Sequence, residues 1–344
     1  MTQPTQTTPA ATATSVPPLI QQHDVAALAL EVAAAVAASK ALKMQLDVIV
    51  KASLLAWTKA FGPSLRTVQS GTQYVQFMAR LQTELAQVHV DPKPVLLEYA
   101  AKARTLGVTQ GFREAATSPA ALPTAPDFAA IVDATQAAAN AKAKVDASAR
   151  LAGSEAKGTF STVTRAMTPA RQAVNDLNRT ARTMTNTALN QGIADVAEQV
   201  DGQLLWIAER DACVVCAALS GHVVDVGHEF DRGATFGEKP IAWVPDGGLT
   251  GPPRHPSCRC RVTPYLGTGS GSPISLPEAL KREAERSILR GWKVDSESEN
   301  VRIQAADRLL EKIGSPRNSR SPSGWTVPKS VKERAQRAVE KGSF

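Results

Sequence analysis

The sequence predicts a mainly α-helical protein in which a long N-terminal helical region leads into a small α+β Cys/His domain and then a short helical, basic tail. Two observations carry this expectation. Apolar residues make up 43% of the 344-residue chain but aromatics only 5%, and much of the apolar share is alanine in runs such as Ala26 to Ala38, which suits close-packed helices better than a β-sandwich. At Gly202 the texture changes, glycines and prolines become frequent, and all four cysteines fall between Cys213 and Cys260. The length allows two or three domains, because one core rarely grows past roughly 250 residues.

Residues 1 to 19 are mostly Thr, Pro, Ala, Gln and Ser without periodic apolar positions, the composition of a disordered leader. They hold no basic segment ahead of an apolar core and cleavage site, so they do not read as a secretory signal. A helical region is expected over 20–178. From Asp24 to Phe61 the helical spacing is unbroken by proline until Gly62 and Pro63, giving one long helix or two nearly collinear ones. Its most apolar stretches, Ala26 to Ala38 and Val48 to Trp57, contain Glu31 and Lys51 and each falls short of the ~20 residues that span a bilayer; no membrane segment is expected.

Further helices are expected over about Ser64 to Val88, stopped by Asp91 and Pro92, and over about Pro94 to Ala116, where Gly107 is a point at which the helix can break. Pro119, Pro123 and Pro126 mark a connector. The Ala-rich run from Asp127 to Ala152 carries Asn140, Lys142 and Lys144, and reads as a solvated spacer or a helix that packs on another chain. A run over about Thr159 to Val200 has Thr168 and Pro169 as an internal restart, since Thr caps a helix and Pro suits its first turn.

The Cys/His domain is placed at 179–266, with β-prone pieces at Val223 to Val226 and Arg261 to Thr263. Residues 267–277 are rich in Gly and Ser, the composition of a flexible linker. The remainder, 278–344, reads as short amphipathic helices over Pro277 to Arg290 and Glu299 to Ile313, a basic loop, and a last helix over Lys329 to Glu340. The net charge is +7, and from Lys312 onward eight basic residues face only Glu333 and Glu340. A basic tail suits contact with nucleic acid or an acidic protein surface.

Cys213 and Cys216 form a C-x-x-C pair, Cys258 and Cys260 flank Arg259, and His255 lies three positions before Cys258. With reduced thiols, such a cluster reads as a metal site, and zinc is the natural ion because it accepts thiolate and imidazole in tetrahedral geometry. Four thiolates, or three with His255, would close the site and make it structural. Trp206 and Leu219 are assigned to the small core. His222, Asp225, His228 and Asp231 form a second His/Asp group, which is the basis of an alternative zinc-dependent nuclease; a DNA-binding protein is the other alternative.

Trp206, Asp211, Cys213, Cys216, Leu219 and Gly221, followed by Pro252, Pro253, His255, Pro256, Cys258, Arg259 and Cys260, spell W, D-x-C-x-x-C, L-x-G and P-P-x-H-P-x-C-R-C. This pattern resembles the C-terminal domain of Mu protein F-like minor head proteins of tailed phages, firmly over about residues 180 to 266. The tail, with Trp325, Pro328 and the ending Gly342, Ser343, Phe344, resembles endings from actinobacterial phages. The resemblance implies a non-enzymatic minor capsid protein, present in few copies near the portal vertex inside the virion and in the host cytoplasm during assembly. Its implied partners are the portal protein, capsid or scaffold proteins, and double-stranded DNA, with no membrane. The long N-terminal helices are the expected portal or shell contact.

Overall fold

The computed structural model describes residues 18–118, 121–122, 124–125, 127–209, 211–236, 248–256, 258–267, 275–291 and 297–312. Most of the expected leader, the core of the Gly/Ser linker and the basic tail beyond residue 312 lie outside them. In chain order the elements are α1 (Pro18–Phe61), β1 (Gln69–Ser70), α2 (Thr72–Ala86), α3 (Lys93–Glu114), α4 (Phe128–Ser154), β2 (Lys157–Gly158), α5 (Phe160–Ala166) and α6 (Thr168–Gln199). They are followed by β3 (Gln203–Ile207), α7 (Val214–Ala217), β4 (Val223–Asp225), β5 (Arg261–Tyr265), α8 (Leu276–Arg290) and α9 (Glu299–Lys312). The protein is mainly helical with a small sheet region, as its alanine content predicts.

The chain forms two compact units that draw on alternating stretches of sequence. One takes the residues up to Leu30, Ala103–Thr124 and everything from Asn186; the other takes Glu31–Lys102 and Ala125–Thr185.

The second of these is helical. Its core joins Leu42, Leu46, Ile49 and Trp57 of α1 to Tyr74, Met78, Leu81 and Leu85 of α2, and to Ala134, Ala141, Val145 and Ala149 of α4. The small side chains of α4 recur every three or four residues, so one face of the helix packs closely on α2. This corrects the expectation of a solvated spacer: α4 is a core element, and Lys144, beside its buried face, pairs with Asp176 of α6. Trp57 is fully buried, donates from Nε1 to the Ser64 carbonyl at 3.1 Å, and meets Phe61, Phe77 and Phe160 at centroid distances of 4.8 to 5.6 Å. Such tilted and edge contacts suit the aromatic quadrupole.

The predicted helix over Ser64 to Val88 begins later, at Thr72, because residues 69–70 pair antiparallel with 157–158 and Gly71, at φ 82°, turns the chain into α2. The restart at Thr168 is present as the break between α5 and α6. There the backbone N–H of Ala170, among those a helix start leaves without an intrahelical partner, donates to the buried Ser148 hydroxyl at 2.9 Å.

α1 is one continuous helix. Its segment Asp24–Phe61 is long and apolar enough to cross a membrane; its most apolar window has mean hydropathy 1.8 and is 56% buried within the protein. This corrects the expectation that the stretches on either side are too short: Glu31 and Lys51 do not interrupt the helix, and Glu31 is itself buried. A core helix meets the same criteria of length and composition.

In the other unit, β3 is the centre of a three-stranded antiparallel sheet of order β4-β3-β5. β3 is an unforeseen element. Its run Gln203–Ile207 is almost wholly buried, so it lacks the alternation that marks a half-exposed strand. β5 carries Pro264 opposite Leu204 and tolerates it as an edge strand, where a missing donor costs no ladder bond.

α3 runs unbroken through Gly107, which corrects the possible break there. Gly107 and Gly192 serve a close crossing with α6: a Cβ at Gly107 would lie 2.0 Å from the Leu189 carbonyl oxygen, and one at Gly192 2.3 Å from that of Arg104. Arg104 and Asp195 clasp the same crossing at 2.7 Å.

Candidate metal centre

Three pieces of backbone build the site. β3 ends at Ile207 and the chain turns so that Cys213, in an extended conformation, starts the single turn of α7 that carries Cys216. The second piece runs from His255 to Cys258 and is closed by the Cys258 N–H donating to the His255 carbonyl at 3.0 Å. The third is Cys260, at the entry to β5. Its carbonyl accepts from the Asn186 amide at 3.1 Å, and the next peptide, through the Val262 N–H, donates to the Asn190 side chain at 2.8 Å. Two buried asparagines one turn apart on α6 thereby fix the strand start.

Arg254 joins the first two pieces. Its side chain is buried and donates to the Val215 carbonyl at 2.6 Å and to the Arg232 carbonyl at 2.7 Å. A guanidinium, with several donors in a fixed fork, suits holding two carbonyls at once.

The five predicted donors come together. The Nε2 of His255 lies 3.0 Å from Cys213 Sγ and 3.2 Å from Cys216 Sγ, and Cys216 Sγ is 3.7 Å from Cys258 Sγ. Cys213, Cys216 and His255 form one group and Cys216, Cys258 and Cys260 another; within each, all ligand atoms lie within 4.8 Å of one another. Cys216, Cys258 and Cys260 are at most 2% exposed, and none of the four cysteines is in a disulfide. These Cys/His groups could hold a metal ion.

One edge of the cluster has the length a tetrahedral thiolate site requires. Metal–sulfur bonds of ~2.3 Å give a sulfur–sulfur edge of about 3.8 Å, close to the 3.7 Å between Cys216 and Cys258. The His255 ring sits nearer its sulfurs than the corresponding edge, at hydrogen-bonding distance. Its Nδ1 is 3.0 Å from the Pro256 carbonyl, which can only accept. The ring proton of the neutral form is therefore on Nδ1, leaving the Nε2 lone pair toward the sulfurs.

Charge in the cluster is divided. The hydrogen bond from Cys216 is the main cause that lowers Cys213 to about 5; burial opposes it, and His255 adds to the lowering. Hydrogen bonds from Cys216 and Cys260 hold Cys258 well below the usual thiol range. Burial alone would lower His255, but the Cys213 thiolate, the charge of Cys258 and the Pro256 carbonyl outweigh it and lift the imidazole to about 9. Cys216 is pushed up by its hydrogen bonds to Cys213, Cys258 and Cys260. Two thiolates beside an imidazolium form a cluster that a divalent cation can enter by displacing protons.

Trp206 and Leu219, assigned to the small core, are both fully buried, and Trp206 meets Phe230 edge-on at 5.1 Å. The second His/Asp group does not assemble. Among the described residues only the Cys/His groups bring three such ligand atoms together. Asp225, His228 and Asp231 are exposed, and Asp231 accepts from the Gly233 N–H in a turn. His222 is half-buried and lowered by that burial, with Asp231 opposing.

Sequence reasoning quoted Asp211 and Arg259 in the motif without giving them a role, and passed over the other charges around this site. Arg259 pairs with Asp211. Arg261, 2% exposed, pairs with Asp24 and with Glu114, the latter at 2.9 Å. Glu209 faces both arginines together with Asp24 and Asp211. The only available signal was the alternation of Cys and Arg from Cys258 to Arg261, which places two cations among the donors.

No protein-family description, no curated protein and no solved structure matches the chain.

Proposed function

We propose that the chain is a structural minor head protein of a tailed phage, of the Mu protein F-like kind, whose Cys/His domain is held together by one structural zinc ion. The observation that carries this reading is the convergence of Cys213, Cys216, His255, Cys258 and Cys260, the donors of the C-x-x-C and H-P-x-C-R-C pattern, in one largely buried cluster. When bound, zinc would supply cross-linking between the α7 turn and the segment before β5, and that energy counts directly toward folding. Such a site is a rigid strut rather than a reaction centre.

In this reading the helical unit offers surface to the portal protein or to capsid and scaffold proteins. The basic tail reaches packaged double-stranded DNA, and the protein sits at the portal vertex inside the virion. α1 is read as a core helix.

The test joins particle and metal. Mass spectrometry of purified proheads and virions from the phage that encodes the chain should find it in few copies, and portal pull-down should recover it. The purified chain under reducing conditions should carry about one equivalent of zinc, lost together with cooperative folding in Cys258→Ser. Absence from both particles ends the head-protein reading; a metal-free chain as stable as the metal-treated one ends the zinc reading.

A further inference from the structure

The donor pattern ends at Cys260, yet the segment around α9 reaches back to the site. Glu297, just before α9, accepts the Val214 N–H through Oε1 at 2.6 Å. Arg302, in the second turn of α9, donates through Nη2 to the Ala212 carbonyl at 2.6 Å and through Nε to Glu297 Oε2 at 2.9 Å. Together they grip the peptides on either side of Cys213. The pair is deeply buried, with side-chain exposures of 3% for Arg302 and 6% for Glu297.

Burying an ion pair is costly unless its remaining hydrogen-bonding capacity is used. Arg302 leaves one part unused: Nη1 is buried and has no hydrogen-bond partner among the described residues. An unsatisfied guanidinium N–H in such a place calls for an acceptor. Cys213, the residue held between the two gripped peptides, is within electrostatic reach of both Arg302 and Glu297. A metal-bound thiolate accepts N–H groups, and a centre with three thiolates and one imidazole keeps a net negative charge that such N–H donors stabilise.

We propose that Arg302, oriented by Glu297, is a positioning residue of the metal centre, holding the Cys213 turn in place and giving its free Nη1 N–H to the Cys213 sulfur once metal is bound. The proposal rests on the metal reading above. It lies outside the stretch that carries the sequence resemblance, and it makes the C-terminal helices part of the centre. A purely mechanical role is the rival, because α9 also packs Ala305, Ala306 and Leu309 against Val214 and Ala217.

The full chain is loaded with zinc or cobalt, and metal affinity is read by chelator competition, with the sulfur-to-cobalt charge-transfer band as the spectroscopic signature. Arg302→Met should still take about one equivalent at saturation, but should lose it to chelator roughly 10- to 100-fold more readily, the usual effect of removing an outer ligand partner. Its charge-transfer band should shift. Arg302→Lys should recover part of the affinity, and Glu297→Gln should weaken binding while keeping the side chain's shape. Leu309→Ala, which loosens α9 but keeps the ion pair, should change affinity by less than about twofold.

Unchanged affinity and spectrum in both Arg302→Met and Glu297→Gln overturn the proposal, as does a Leu309→Ala effect as large as theirs. A wild-type chain that takes up no metal overturns the metal reading first, and this proposal with it. Should Arg302→Met fail to fold, Glu297→Gln and Arg302→Lys carry the comparison.

Discussion

Glu209 stands among four charges of both signs, and its carboxyl is pushed up to about 8. Burial is the main cause, the neighbouring Asp24 and Asp211 carboxylates add to it, and Arg259 and Arg261 oppose it. The consequence for stability has a definite sign. Between the ordinary carboxyl range and pH 8 the folded chain holds a proton that the unfolded chain has released, so stability falls as pH rises across that window and levels off above it. Glu209→Gln should flatten this slope and raise stability at pH 8 by on the order of 1 kcal/mol, with little change at pH 4.5. Urea denaturation at the two pH values, at fixed metal loading, checks this; an equal slope in wild type and variant would show that another group sets it.

At this scale the sequence was legible where the chemistry is local. Cys213 with Cys216 and His255 with Cys258 are each three residues apart, and the ligand requirement itself imposes that spacing. Arg261 was not legible, because its partners Asp24 and Glu114 are 237 and 147 residues away. Nor was Arg302, whose acceptor at Ala212 is 90 residues back. Apart from the Cys/Arg alternation that ends at Arg261, nothing in the immediate neighbourhood of these arginines marks them as different from solvated ones.

Among the elements, α3 and α6 show how a residue type can be ambiguous in sequence and decided by packing. Glycine inside a helix costs about 1 kcal/mol relative to alanine, so Gly107 reads as a weak point. It is retained because its missing side chain lets two backbones approach. Gly107→Ala, which would improve an isolated helix, should instead destabilise the protein by about 1–3 kcal/mol through the clash with the Leu189 carbonyl. Thermal unfolding of the variant decides between the two signs.

The long helices were legible from their apolar period, and α4 was legible as a helix but not in its surroundings. Alanine is small enough for a core seam and polar-tolerant enough for a surface, and composition alone does not separate the two. The two-residue strands β1 and β2 left no signal, since a pairing that short has no period. β3 was hidden for the opposite reason, a run buried along nearly its whole length.

For the whole molecule, the alternation of the two units along the chain matters most. The unit that holds the Cys/His cluster also needs Asp24, Val108, Phe112 and Glu114: the first and last pair with Arg261, and Val108 and Phe112 pack on Val196. A fragment cut to residues 179–344 keeps all five donors but leaves Arg261 without either carboxylate. Stranding a buried charge costs about 3–5 kcal/mol. The fragment should therefore unfold at a markedly lower temperature than the full chain and lack its near-ultraviolet circular dichroism even with metal present. A fragment as stable as the full chain would show that the early segments add little.

The Asp24–Arg261 pair also sets a clock on synthesis. At about 5–20 residues per second, the 237 residues between the two take on the order of ten to fifty seconds to leave the ribosome. Throughout that interval the apolar start of α1 has been made while the strand that completes its surroundings has not. The nascent chain therefore presents the uncovered start of that helix for longer than most elementary folding steps last, and that is the stage at which a chaperone would engage it.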